Sequence, residues 1–278
     1  MQLPPGRLVD IPGRGQTFIR EVPGPANAPT LVLLHGWTAT ADLNWFTAFD
    51  ELGKHFRVVA LDHRGHGRGI RSKNSFRLED CADDVAALAD VLGINNFIPV
   101  GYSMGGTIAQ LVWKRHETRV RGLVLCSTAA HFTSSREERL GFLGLTGLAA
   151  LVRLTPAQTR DWLTEQLYLQ RRGEELEQWA VAQMSSHDWR HIIEAVSTLG
   201  SFNSLDWLGA LDVPTSIILT LQDTVVPVER QQRLVEAIKH ASVHHVDAGH
   251  NAIYAAKETY VPVLVNACLE VHQRSLVA

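Results

Sequence analysis

Gly101-Tyr102-Ser103-Met104-Gly105 fits the pattern Gly-x-Ser-x-Gly and stands where a strand should hand over to a helix. The apolar run Phe97-Ile98-Pro99-Val100 precedes it, and the helical stretch Thr107-Ile108-Ala109-Gln110-Leu111-Val112-Trp113 follows. A serine in so sharp a turn is forced into a strained backbone conformation. Small residues two positions either side let strand and helix close around it. The turn lifts the hydroxyl above the sheet and aims the helix N-terminus at any oxyanion that forms there. Taken alone, the five residues are equally a glycine-rich strand-to-helix turn, so the surroundings decide.

Outward from that turn, strands and helices alternate. Residues 8–11 and 17–22 read as an antiparallel hairpin around Gly13-Arg14-Gly15. Thr30–Leu34 is a continuous apolar run, as expected for a strand buried on both faces, and it ends in His35-Gly36-Trp37. Asp42 is a plausible N-cap for a helix reaching about Leu52, with Gly53 as its stop. Arg57–Leu61 is the next buried strand, and 78–92 has helical apolar spacing that stops at Gly93. Further strands are expected over 120–126, 216–221 and Ser242–Val246, with helices over 229–239 and 259–272. Such alternation predicts a mostly parallel, doubly wound α/β sheet with helices on both faces.

One stretch breaks the pattern. From about His131 to Trp207 no strand is evident, and helical segments follow one another over 137–154, 156–170, 174–184 and 188–199. Thr155-Pro156 is a helix start, with threonine as N-cap and proline at the first helical position. The chain therefore divides into a core over 1–130 and 208–278 and an all-helical insertion over 131–207. An insertion at that point should sit over the C-terminal strand ends, the edge at which open α/β sheets bind ligands.

Composition narrows the function classes. The chain has 278 residues, 45% hydrophobic and 20% charged, as in an ordinary soluble globular protein. A net charge of −3 with no basic stripe argues against nucleic acid as a partner. No apolar run reaches the ~18 residues of a membrane span. Met1-Gln2-Leu3-Pro4-Pro5-Gly6 lacks the basic start and apolar stretch of a secretory signal. Cys81, Cys126 and Cys268 are scattered and odd in number, which argues for the reducing cytoplasm and against disulfides or a cysteine metal site.

A serine hydroxyl needs a general base, usually histidine, and that histidine needs an orienting carboxylate. The base should lie after the last strand, where Ala248-Gly249-His250 stands. The carboxylate should follow another strand end, where Gln222-Asp223 stands. The chain order Ser103, Asp223, His250 is that of an α/β-hydrolase. An oxyanion hole would take one donor from the Met104 backbone N–H and the second from the Trp37 N–H.

With these residues in place, the chain resembles the α/β-hydrolase superfamily in its version with a helical cap. The resemblance spans nearly the whole chain. His35-Gly36 matches the oxyanion-loop motif, and Asp62-His63-Arg64-Gly65-His66-Gly67 matches an Asp-x-Arg-Gly-x-Gly turn. Gly101–Gly106 matches the elbow. Asp223-Thr224-Val225-Val226-Pro227 and Gly249-His250 match the acid and base segments. The resemblance implies a cofactor-free hydrolase of the esterase or lipase kind. A small-molecule ester is the expected substrate, no metal is expected, and a monomer or homodimer is the expected assembly. Three departures stand out: Thr220 where many relatives have glycine, a longer turn through Arg68-Gly69-Ile70-Arg71-Ser72, and Pro99 in the elbow strand, where a missing N–H would cost a ladder bond.

Other motifs read as structural. Asp62, Arg64 and His66 are expected to hold a buried turn, and His35 to shape its loop. Asp247 is too close to His250 in the same loop to serve as the acid. His187-Asp188-Trp189-Arg190-His191 imitates a zinc-protease spacing, but Asp stands for Glu and no third ligand is evident. The apolar residues between Phe142 and Leu154 are expected to pack the cap, with one face lining the pocket or touching lipid transiently. Rival readings use the same triad for C–C bond or lactone hydrolysis, or take the chain as a non-catalytic ligand-binding member of the fold.

Overall fold

A computed structural model describes residues 3–133, 179–180, 182–183 and 185–277. Its sheet consists of β1 (Gly6–Ile11), β2 (Gly15–Val22), β3 (Thr30–Leu34), β4 (Arg57–Leu61), β5 (Ile98–Tyr102), β6 (Leu123–Cys126), β7 (Thr215–Thr220) and β8 (Ser242–Val246). The spatial order is β1-β2-β4-β3-β5-β6-β7-β8. β2 pairs antiparallel with β1 and β4, and all other neighbours are parallel. β3 thus lies between β4 and β5. The order reverses there, and the loops after β3 and β5 diverge from adjacent strand ends. Such a switch point is where an open α/β sheet forms its crevice.

The helices are α1 (Ala41–Trp45), α2 (Phe49–Gly53), α3 (Leu78–Val91), α4 (Met104–His116), α5 (Trp189–Ser201), α6 (Leu205–Leu208), α7 (Val228–Ala237), α8 (Ala252–Ala255) and α9 (Lys257–Ser275). Strand side chains alternate faces, and each face has its own core. Val32, Leu34, Val59 and Leu61 pack with Val85 of α3 and Ile108 of α4. Leu31, Leu33, Val58 and Ala60 pack with Trp45 and Phe49 and with Tyr260 and Leu264 of α9. Burial on both faces explains why β3 and β4 read as continuous apolar runs.

Three expectations need correction. The helix expected from Asp42 to Leu52 is two short helices, α1 and α2. The N-cap is Thr40, whose hydroxyl accepts from Leu43 N–H at 3.0 Å. Asp42 lies within the first turn, its buried carboxylate bonded to Arg20 at 2.7 and 2.9 Å and to Arg68 at 2.9 Å. The strand expected from Val120 begins at Leu123. Pro99 explains why. Phe97 bridges Val120, but Val100 pairs with Val124, so three steps on one chain face four on the other. The extra residue is a bulge that interrupts the ladder beside Pro99, where its missing N–H forfeits no bond.

The two ends of the stretch expected as an insertion lie next to each other. His131 bridges Asn203, and Ser204 N–H donates to Ala130 O at 2.9 Å. α5 matches the helix expected over 188–199, with Asp188 as N-cap. The segments expected over 137–154 and 156–170, and most of 174–184, lie outside the described residues. Among the described residues, no helix is long and apolar enough to cross a membrane.

Candidate active site

β5 runs into α4 through one residue, Ser103, with φ +53° and ψ −118°. That conformation is strained for a residue with a side chain, and its neighbours hold it there. Ser103 N–H donates to Cys126 O at 2.9 Å. Its carbonyl accepts from Gly106 N–H at 2.9 Å and from the Thr128 hydroxyl at 2.7 Å. The flanking glycines are compulsory. A Cβ on Gly101 would fall 2.2 Å from Gly105 O, and one on Gly105 would fall 2.0 Å from Leu34 O. The pattern read in the sequence is therefore a record of backbone crowding.

The structure brings Ser103, His250 and Asp223 together from three strand ends. His250 follows β8, and its Nε2 lies 3.0 Å from Ser103 Oγ. Its Nδ1 lies 2.7 Å from Oδ2 of Asp223, which follows β7. The carboxylate on Nδ1 sets the tautomer, since only a protonated Nδ1 can donate to it and Nε2 is then left to accept the serine proton. Tyr102 OH donates to His250 O at 2.7 Å and fixes the loop. The Asp223 side chain is fully buried, while His250 is 22% exposed. Burial opposes ionisation of Asp223. The hydrogen bond and charge of His250, the Val226 N–H and the Thr220 hydroxyl outweigh it, and the carboxyl titrates below its ordinary range.

The loop after β3 lies against the serine. A Cβ on Gly36 would stand 3.3 Å from Ser103 Cβ. Three contacts fix the loop around Gly36. Asn44 Oδ1 accepts from Gly36 N–H at 3.0 Å, and His35 Nδ1 lies 2.8 Å from Gly36 O. His63 N–H donates to His35 Nε2 at 2.9 Å, which leaves the proton on Nδ1 to reach Gly36 O. Burial pulls the His35 pKa down to about 3, so the ring stays neutral and its two roles stay distinct. The Trp37 indole N–H donates to Ile192 O of α5 at 2.8 Å. Met104 opens α4, so its N–H has no intrahelical acceptor.

The remaining sequence candidates have structural partners. Asp62 is buried and accepts from Ala41 N–H and Arg68 N–H, each at 2.8 Å. Arg64 forms a two-pronged pair with Asp84 of α3 at 2.7 and 2.7 Å. His187 precedes α5 and does not share a helical face with His191. Its Nδ1 accepts from Gly67 N–H at 2.8 Å, and His191 Nε2 lies 3.0 Å from Asn74 O. Asp247 accepts from Gln222 at 2.9 Å. Cys81, Cys126 and Cys268 are free and buried. Asn44, Thr128 and Gln231 surround the site without having been singled out. Each acts through contacts delivered by the fold, which leave no spacing pattern.

The family model described as alpha/beta hydrolase fold matches residues 29–256. The chain is similar to the AB hydrolase superfamily protein YisY of Bacillus subtilis, 29% identical over 233 residues, covering 82% of this chain and 87% of that protein. It is also similar to RutD of Agrobacterium fabrum, named as a candidate carbamate hydrolase, at 26% over 241 residues, 82% of this chain and 88% of that one. Among solved structures, a thermophilic esterase from Thermogutta terrifontis superposes with a TM-score of 0.78 at 23% identity. The match covers 96% of this chain and 99% of that one, and at such identity it speaks for the fold alone. Since the matched segment runs from just before β3 to past β8 and carries the elbow, the chain belongs to the α/β-hydrolase fold family.

Proposed function

We propose that the chain is a serine hydrolase that cleaves a carboxylic ester of a small or lipophilic substrate through an acyl-enzyme. The observation that carries this reading is the unbroken relay from Ser103 Oγ to His250 at 3.0 Å and from His250 to Asp223 at 2.7 Å. It stands on a backbone strained to present the hydroxyl. His250 Nε2 removes the serine proton as Oγ attacks the ester carbonyl. Asp223 stabilises the imidazolium, which then protonates the departing alcohol. The N–H groups of Trp37 and Met104 receive the oxyanion, the second with the help of the α4 dipole. Water, activated by the same histidine, releases the acid. The relay needs no cofactor.

Residues 131–207 serve in this reading as a helical cap over the strand ends, with 1–130 and 208–278 as the two parts of the core. The paired stems at His131–Asn203 and the indole contact from Trp37 to α5 support it. Three free, buried cysteines support a cytoplasmic setting.

The test is turnover of a p-nitrophenyl ester series, short to long acyl, with labelling by a fluorophosphonate. The likeness to RutD puts a carbamate series in the same assay. Wild type should turn over esters and take the label at Ser103, and Ser103→Ala should do neither. Folded wild type that hydrolyses no ester would overturn the ester reading. Labelling without turnover would favour a binding member of the fold.

A further inference from the structure

The carboxylate of Asp223 receives more donors than holding a histidine requires. Oδ1 accepts from Val225 N–H at 2.9 Å and Val226 N–H at 2.8 Å. Oδ2 accepts from His250 at 2.7 Å, and also from the Thr220 hydroxyl at 2.8 Å. Thr220 occupies the position where the sequence departs from its resemblance, and it is wholly buried. The hydroxyl therefore competes with His250 for the same oxygen.

The direction of that hydroxyl is set by Gln231 of α7, also wholly buried. Gln231 Oε1 accepts from Thr220 N–H at 3.1 Å, so its amide group must point the other way. There Nε2 meets only acceptors: Val226 O at 2.7 Å, Thr220 Oγ1 at 3.2 Å and Asp223 Oδ2 at 3.4 Å. A hydroxyl has one proton. With the Gln231 amide donating to its lone pair, and with Gln231 Oε1 distant at 3.5 Å, that proton goes to the carboxylate.

We propose that Thr220, oriented by Gln231, is a positioning residue that lowers the basicity of His250 by sharing Oδ2 of Asp223. A carboxylate that donates part of its charge to a hydroxyl stabilises an imidazolium less. The histidine then stays neutral, and available as a base, to lower pH than it would beside an unshared carboxylate. Residues that fill the same space without donating should reverse this. The inference rests on the serine-hydrolase reading for its kinetic consequence, but not for the coupling itself.

Thr220→Val keeps the shape and removes the proton. The acid limb of kcat/KM should move to higher pH by on the order of half a unit to one unit. Thr220→Ser, which keeps the hydroxyl, should return the limb to its wild-type position. An NMR titration of the His250 ring in the same proteins reads the coupling without turnover, and circular dichroism checks that each is folded. A His250 midpoint raised in the valine variant and restored in the serine variant supports the proposal. A midpoint unchanged or lowered in folded Thr220→Val overturns it. If Ser103→Ala keeps wild-type turnover, the hydrolase reading fails separately, and the ring titration still decides the role of Thr220.

Discussion

Acidification should unfold this chain well before its carboxylates are neutralised. His35, His63, His66 and His187 form one buried group, with His35–His63 ring centroids 4.4 Å apart, His35–His66 5.2 Å and His66–His187 5.4 Å. Burial drives all four below the ordinary imidazole range, His35 to about 3 and His187 to about 4. Among the described residues, neither nitrogen of His63 has a hydrogen-bond partner that would favour charge. In the unfolded chain each ring titrates near 6.5, so between 6.5 and the folded value the unfolded state binds more protons. Stability is therefore whole above about 6.5 and falls as pH drops, by about 1.4 kcal/mol per pH unit for each ring. At pH 5 that is about 2 kcal/mol each for His35 and His187, and His63 and His66 act in the same direction. A domain is stable by only about 5–15 kcal/mol. Urea unfolding followed by circular dichroism from pH 7.5 to 5 should show the midpoint collapsing. His187→Gln, whose amide can still accept from Gly67 N–H, should flatten the slope by about one proton. A midpoint flat between pH 7 and 5 in wild type would refute the claim that these rings are held neutral.

Other expectations follow from single contacts. Ser103→Ala should lower ester kcat by about a thousandfold or more with the fold intact, measured by turnover and melting temperature. Trp37→Phe removes the indole bond to Ile192 O but keeps the ring, and should lower kcat about tenfold with a smaller change in KM. Equal loss in both parameters would place the indole in substrate binding instead. Arg64→Met leaves the buried Asp84 carboxylate with Arg14 alone, at 2.5 Å, and should cost about 3 kcal/mol in urea unfolding. Gly105→Ala drives a methyl to within 2.0 Å of Leu34 O, and should yield little soluble protein.

Much of the core was legible because its signals are local. Thr30–Leu34 and Arg57–Leu61 are strands from end to end as read, since burial on both faces writes itself as an apolar run; Ser242–Val246 also matches from end to end, although it is a half-exposed strand at the sheet edge. The helix through Asp42 was misread because its first turn holds two capping residues. Only the tertiary pairing of Asp42 with Arg20 and Arg68 selects Thr40 as the cap. Pro99 looked like a defect in a central strand. Its tolerance depends on a bulge in the neighbouring chain, whose presence no single-strand pattern records.

The site divides along the same line. The elbow and the proposed acid and base stand out because each sits at a strand end, and the elbow also imposes a backbone constraint on its immediate neighbours. The groups that hold them do not. Asn44 reaches Gly36 across eight residues, Gln231 reaches Thr220 across 11, and Trp37 reaches Ile192 across 155. Such contacts depend on where the fold delivers a side chain, so a glutamine on a polar helix and an asparagine in a short one look ordinary in sequence. The consequence is asymmetric. Replacing an elbow glycine breaks the backbone, whereas replacing Thr220 or Gln231 leaves the backbone possible and changes the electrostatics of Asp223 instead. Variation among proteins of this fold can therefore alter the basicity of the histidine while every motif residue stays in place. Thr220, standing where the resemblance expects glycine, is one such change, and its hydroxyl lies on the very oxygen that meets His250.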